Sequence, residues 1–329
     1  MHKRHVSRHV SVRRHVSVRH VSVSAAIVLA ATAGAVPASA NDSHGGGHTT
    51  AASGGATTFT KPAHGHAVTF AAVLTGAHEV AEEGGPAVND PDGKAVALVK
   101  VKGDRVVFAM QWKGFVPSQG HIHQGAAGQN GDVKVPLFGT EMPDTIHSAA
   151  GHTELTDAKL ADSIREHPSG FYLNLHSKEF PGGAVRGQLK RLKKNINPLH
   201  IIKGGKLRAL SSGAQEVPVT DAHKVGDDDG YAVTFLHPAG RNVDFSLAWV
   251  NIQAPQAAHI HKGGFGKNGD VVLGLLNKPV PEGLFAVSGR LEHQHKGLLE
   301  EIQHNPWGFY SNIHTKKFPD GAVRGQLFH

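Results

Sequence analysis

The stretch GFYLNLHSKEFPGGAVRGQL, residues 170–189, returns as GFYSNIHTKKFPDGAVRGQL at residues 308–327. Fifteen of these 20 positions are identical at an offset of 138 residues, which predicts a duplicated structural unit. The first part of each copy, Phe-Tyr-x-Asn-x-His, alternates like a β-strand that presents Asn and His on one face. The second part, an aromatic residue, Pro and Gly before Ala-Val-Arg-Gly-Gln-Leu, predicts a tight turn that leads into another strand.

A second motif is duplicated together with the first. HIHQGAAGQNGDV at residues 121–133 matches HIHKGGFGKNGDV at residues 259–271. Asn-Gly favours a turn because both residues tolerate positive φ, so we expect a short His-Ile-His strand, a Gly-rich loop and another strand. Each copy also has one short helical pattern, which in the first copy covers residues 157–166 with Thr156 as the N-cap.

Many short strands, frequent Gly turns and one small helix per copy predict an all-β fold. We expect two tandem antiparallel β-sandwich or barrel domains. The predicted segments are a signal peptide (1–40), a flexible Gly/His/Ser/Thr-rich arm (41–66), the first repeat (67–189), a basic linker (190–206) and the second repeat (207–329).

The first 40 residues predict export. Residues 1–20 carry six Lys and Arg and no acid, residues 25–36 are apolar, and Ala38-Ser39-Ala40 fits a signal-peptidase site. We expect cleavage after Ala40 and a secreted, extracellular protein. No stable membrane span is expected after cleavage, because the apolar run is too short to cross a bilayer comfortably.

The expected cleavage also changes the charge balance. The whole chain has a net charge of +7, but removal of the six basic leader residues leaves 28 Lys and Arg against 27 acids, about +1. This near-neutral balance argues against a nucleic-acid partner. The chain contains no Cys, so packing or metal binding must replace disulfides as a source of stability.

Three histidines recur in each copy. They are His121, His123 and His176 in the first copy, and His259, His261 and His314 in the second. Side chains at i and i+2 of a strand share one face, about 7 Å apart along the chain, and the later His is a candidate third ligand. Imidazole suits copper and zinc, so the pattern predicts a His₃ site with one open position in each copy. The alternative is that the histidines only hydrogen-bond the Gly-rich loop and hold the turn.

Each copy also carries a matched Asn and Arg beside the histidines. These are Asn174 and Arg186 in the first copy, and Asn312 and Arg324 in the second. Each Asn precedes the last His by two residues and is expected to orient it from the same face. Each Arg is expected to be structural, bonding turn carbonyls or a carboxylate such as Glu79. No Ser, His and Asp set recurs between the copies, so no catalytic residue is assigned.

The duplicated motifs resemble the CHRD domain, named from chordin and found in many secreted bacterial proteins. The resemblance rests on Gly-Ala-x-Glu-Val (residues 76–80 in the first copy), the His-Ile-His motif and the final Phe-Tyr motif, and it covers residues 67–189 and 207–329. It implies an extracellular β-rich module. The His-x-His strand is also distantly similar to that of Cu/Zn superoxide dismutase. This chain departs from that family because it has no Cys pair and no clear bridging His or zinc-ligand Asp loop.

Three functions follow as hypotheses. The first is an exported, non-catalytic module that binds copper or zinc at one His₃ site per repeat. The second is a structural or adhesive module with a cell-surface or matrix protein as its partner, in which the histidines serve the fold. The third is a redox metalloenzyme of the dismutase kind.

Overall fold

The computed structural model describes residues 63–219 and 224–329, which form 17 β-strands and two α-helices. The predicted signal peptide and almost all of the predicted arm lie outside the described residues. The first repeat contains β1 (Val68–Thr75), β2 (Lys94–Lys102), β3 (Arg105–Lys113), β4 (Gln119–Gln124), β5 (Val133–Phe138), β6 (Ile146–Glu154), α1 (Ala158–Glu166), β7 (Phe171–His176), β8 (Val185–Gln188) and β9 (Lys190–Arg191). The second repeat contains β10 (Leu207–Ser212), β11 (Tyr231–Ala239), β12 (Asn242–Val250), β13 (Ala257–Lys262), β14 (Val271–Leu276), β15 (Leu284–Leu291), α2 (Lys296–His304), β16 (Phe309–His314) and β17 (Val323–Phe328).

The two repeats share one strand order. In the first repeat the hydrogen-bonded order is β6–β3–β2–β1–β8–β7–β4–β5, and in the second it is β15–β12–β11–β10–β17–β16–β13–β14. All of these pairings are antiparallel. Side chains that alternate inward from both halves of each sheet, such as Phe70, Phe108, Ile122 and Leu173, form the apolar core between them. The predicted all-β, two-domain fold is therefore confirmed.

Each repeat places one short α-helix before its last Phe-Tyr strand, as predicted. The α1 helix begins after Asp157, whose carboxylate accepts a hydrogen bond from the Lys159 backbone N–H at 2.9 Å. The predicted N-cap, Thr156, is therefore wrong by one residue, because Asp157 has the extended backbone of a cap and supplies the acceptor. Within the described ranges, neither helix is long and apolar enough to span a membrane.

The repeats are joined through the pairing of β6 with β15, so the two domains share one continuous sheet. The predicted linker lies over this junction, where residues Pro198–Ile201 form a short 3₁₀ turn. Ile201 and Ile202 pack on a small apolar cluster that contains Ala109, Ala150 and Ala286. The linker therefore packs against both repeats and contributes to the interface between them.

Candidate metal site

The candidate site lies on the outer face of the sheet, opposite the apolar core. Ile122 points into the core and is fully buried, so its neighbours on β4, His121 and His123, point outward. Across the sheet His121 pairs with Asn174 of β7, and Asn174 pairs with Arg186 of β8. The pairing of β4 with β5 is irregular just before His121 and again between Ile122 and His123, and such irregularities re-aim side chains.

The three imidazoles of the first repeat converge. His121 Nδ1 lies 3.3 Å from His176 Nε2, and one ring nitrogen from each of His121, His123 and His176 lies within 4.8 Å of the others. A tetrahedral metal with Zn–N bonds of about 2.0–2.1 Å places its ligand nitrogens about 3.3–3.4 Å apart. One pair of nitrogens therefore already has the required spacing, and the third is close enough to complete the set with a small shift.

Backbone carbonyls set the tautomers of two of these rings. His123 Nδ1 donates to the Gly131 carbonyl at 2.9 Å, and His176 Nδ1 donates to the Pro181 carbonyl at 3.0 Å. Because a carbonyl only accepts, each neutral ring carries its proton on Nδ1 and leaves Nε2 as a lone pair. His123 Nε2 is buried and has no hydrogen-bond partner. A metal ligand fixed through its other nitrogen has this arrangement.

The electrostatics keep the rings neutral. Burial, together with the nearby His176 and His123 rings, lowers the pKa of His121 to about 4. Burial is also the main reason that the pKa values of His123 and His176 are lowered. Neutral imidazoles at pH 7 have lone pairs available for a cation without first losing a proton to solvent.

The second repeat reproduces this geometry. His259 Nδ1 lies 3.2 Å from His314 Nε2, while His261 Nδ1 donates to the Gly269 carbonyl and His314 Nδ1 to the Pro319 carbonyl, both at 2.8 Å. His261 Nε2 is again buried without a partner. The ring nitrogens again lie within 4.8 Å of one another, and burial is the main cause that lowers the pKa of His259 to about 4.

Arg186 positions the site without contacting the histidines. Its guanidinium donates to the carbonyls of Ala126 and Gln129 at 2.9 and 2.6 Å, and so holds the Gly-rich loop. The guanidinium also lies 3.4 Å from the centre of the Tyr172 ring, which stacks on His123 at 4.8 Å with an angle of 10° between the planes. The guanidinium and the imidazole could not both fit on the same face of the Tyr172 ring at these distances. The Tyr172 ring therefore lies between Arg186 and His123.

The matching stack in the second repeat is Arg324, Tyr310 and His261, with corresponding distances of 3.5 and 4.8 Å. Arg324 donates to the carbonyls of Gly264 and Lys267. Both Arg residues thus bond turn carbonyls, the contact that the sequence assigned to them. The stacked Tyr was not singled out from the sequence, although it recurs in both copies two residues before the Asn.

The two Asn residues make a different contact from the expected one. Asn174 donates to Glu79 Oε2 at 3.3 Å, and Asn312 donates to Glu216 Oε2 at 3.4 Å. The described hydrogen bonds thus join each Asn to a carboxyl group and not to the histidine that it was expected to orient. The recurring Gly-Ala-x-Glu-Val motif was the sequence signal for this carboxyl group.

These carboxyl groups have unusual electrostatics. Burial raises the pKa of Glu79 to about 7 and that of Glu216 to about 8, against the lowering effects of Arg186 and Arg324 respectively. One oxygen of each, Oε1, is buried without a hydrogen-bond partner. Near pH 7, Glu79 is therefore partly protonated and Glu216 mostly protonated, each beside a buried Asn.

Together these features define a tandem all-β protein that carries the same three-histidine cluster twice. The family model of the CHRD domain matches residues 70–189 and again residues 207–327. The chain belongs to the CHRD domain family. Searches of curated proteins and of solved structures returned no significant match.

Proposed function

We propose that this protein is an exported, non-catalytic tandem CHRD-domain protein that binds one copper or zinc ion in each repeat. The ligands are His121, His123 and His176 in the first repeat, and His259, His261 and His314 in the second. A metal held by three imidazoles has a fourth position open to water or to an external ligand. The proposal names both copper and zinc because imidazole, the only donor type in the cluster, suits both ions.

The observation that carries the proposal is the buried, unpartnered Nε2 of His123 and of His261. A structural role is satisfied by the Nδ1 hydrogen bonds to Gly131 and Gly269. It does not account for a second nitrogen that is buried without a donor, which costs about 1–3 kcal/mol. A cation in the middle of each cluster would bind this nitrogen. The metal proposal therefore accounts for both ring nitrogens, Nδ1 and Nε2.

Metal analysis after loading and gel filtration tests the proposal. We expect two ions per chain in the native protein, one in His123→Ala, one in His261→Ala and none in the double variant. His147→Ala, at an exposed position outside both clusters, is the control and should retain two. A native protein that stays metal-free with added copper and zinc would leave the structural or adhesive hypothesis in its place.

Two further parts of the proposal have separate tests. Export rests on the first 40 residues, and mass spectrometry of protein from the culture medium should show a chain that begins at Asn41. The non-catalytic role is tested with superoxide and peroxide assays on the metal-loaded protein. Turnover above that of free metal, lost in the double variant, would support the redox alternative.

A further inference from the structure

The outer face of the sheet at the junction carries two parallel rows of residues, all but one of them Ala or Ser. The first row runs across four strands through Ala109, Ala150, Ala286 and Ala248. The second row, two residues further along each strand, consists of Gln111, Ser148, Ser288 and Ser246. The linker covers the first row with Ile201 and Ile202. Beside this covered row, the serine row lines a cavity.

A cavity of about 370 Å³ lies over the serine row. Both repeats contribute to its lining, and the linker contributes Lys203, Gly204 and Gly205 at its edge. Aromatic residues from both repeats, Trp112 and Phe235, also line it. Ligand sites typically have this size and combine apolar walls with a few polar groups, often at domain interfaces.

The hydroxyl groups on the cavity floor differ in their hydrogen bonding. Ser246 Oγ donates to the Lys203 carbonyl and so helps to hold the linker. Ser148 and Ser288 pair directly across the junction, one from each repeat, and are only 2% and 9% exposed. Among the side-chain hydrogen bonds found in the described residues, none involves the hydroxyl of either. Two adjacent hydroxyl groups, each able to donate and accept, are thus left to a ligand or to water.

The charges around the cavity favour an anion. Arg290 is bound to Asp244 through two hydrogen bonds, at 2.6 and 3.2 Å, so these two charges neutralise each other. The remaining charged groups of the lining are Lys113, Lys203 and Glu292. Neither Lys takes part in a salt bridge found within the described ranges. Two ammonium groups against one carboxylate leave a positive balance at the edge of the cavity.

We propose that the junction cavity binds a small hydroxycarboxylate. Its hydroxyl group would bond Ser148 and Ser288, and its carboxylate would lie towards Lys113 and Lys203. Formation of this site requires both repeats, because each supplies one of the two serines. The proposal is independent of the histidine clusters, which lie at the other end of each strand order.

Calorimetry on the metal-free full chain tests this proposal. The probes are L-malate, succinate, which lacks the hydroxyl group, and erythritol, which lacks the carboxylate. We expect malate to bind more tightly than either. In Ser148→Ala/Ser288→Ala malate binding should weaken on the order of tenfold or more, since each lost hydrogen bond is worth about 0.5–1.5 kcal/mol. Lys203→Met should weaken malate and succinate together.

Two control variants and a stability measurement keep the outcomes distinct. Ser169→Ala, at an exposed position outside the cavity, should bind malate like the native protein. The double variant His123→Ala/His261→Ala should also bind it normally, so loss of the metal sites and loss of this site give different results. Alanine already occupies the neighbouring row, so the serine variants should fold, with unchanged melting temperature. No heat of binding at millimolar malate, or equal affinity in the serine variants, would overturn the proposal.

Discussion

Ala149 of β6 pairs directly with Val287 of β15, its own counterpart 138 residues later in the duplicated sequence. The flanking pairs are Ser148 with Ser288 and Ala150 with Ala286. Ala286 is the counterpart of Ser148 and Ser288 is the counterpart of Ala150, so each flanking pair is equivalent to the other. The contact between the repeats therefore has local twofold symmetry, as in an isologous dimer interface, where each contact occurs twice. The two repeats pack like the subunits of a dimer whose halves are joined by the linker.

The first prediction concerns this edge strand. A fragment of residues 63–206 would leave the unpaired edge of β6 open, and such edges pair with another chain. We expect the fragment to form a dimer through β6, with about twice the monomer mass by light scattering. Ser148→Lys, which brings two like charges close to the twofold axis, should make it monomeric. A fragment that is already monomeric at high concentration would contradict the symmetric contact.

The second prediction concerns Arg186. Arg186→Lys keeps the charge but loses the fork that bonds the Ala126 and Gln129 carbonyls and the flat group that stacks on Tyr172. We expect the free energy of unfolding to fall by about 2–4 kcal/mol in denaturant titrations, because the buried side chain at this position loses its hydrogen bonds to the loop and its stacking on Tyr172. Arg191→Lys, at an exposed position, should change it by less than about 0.5 kcal/mol. Equal effects of the two substitutions would argue against the positioning role.

The third prediction concerns pH. Glu79 and Glu216 have folded-state pKa values of about 7 and about 8, against 4.5 as the ordinary value. Between pH 4.5 and these folded-state values, the two carboxyl groups keep protons in the folded protein that they have lost in the unfolded chain. The contribution of these two groups to the free energy of unfolding therefore falls as pH rises through this window. Glu79→Gln/Glu216→Gln removes the effect. The melting temperature of this variant relative to the native protein should therefore increase between about pH 5 and about pH 8.5.

The histidines do not affect this comparison. Their lowered pKa values contribute equally to the stability of the native protein and of the double variant, so the contribution cancels in the difference in melting temperature. Glu179→Gln, at an exposed position, provides the matched control for the loss of a carboxylate. A constant difference between the double variant and the native protein across the range would mean that the two carboxyl groups titrate normally.

The fourth prediction concerns the turn after the last histidine. Gly183 has a φ of +146°, and an added Cβ would lie 2.7 Å from Glu79 Oε2. Gly183→Ala should therefore destabilise the fold by about 1–3 kcal/mol, from backbone strain and from displacement of the carboxyl group. Gly139→Ala, where an added Cβ meets nothing within 4 Å, is the control and should be tolerated. Equal melting temperatures for the two variants would contradict this reading of the turn.

Much of the candidate site was predictable because its pattern is local. His121 and His123 lie on one face of a strand by the two-residue period alone, and the recurrence of His176 in the matching place pointed to the third ring. The contacts of Asn174 were not predictable. Its partner, Glu79, is 95 residues away and reaches it only because β1 and β8 are neighbours in the folded sheet.

The helix start shows the same limit at short range. Thr156 and Asp157 are both good N-caps by residue type, and only the backbone of the folded chain shows which of them has the extended conformation. The pairing of β6 with β15 was also beyond the sequence, because strand alternation shows which face is buried and not which edge finds a partner.

By itself, the sequence determined that the chain is built twice, that it is rich in short strands and that each half presents a His-x-His pair, because these features depend on repetition and on the two-residue period of a strand. Only the tertiary structure decided that the third imidazole joins them, that Arg186 holds the loop and stacks on Tyr172, and that the halves meet along β6 and β15. The physical reason is that these contacts join residues far apart in the chain, and their geometry is set by strand order and register.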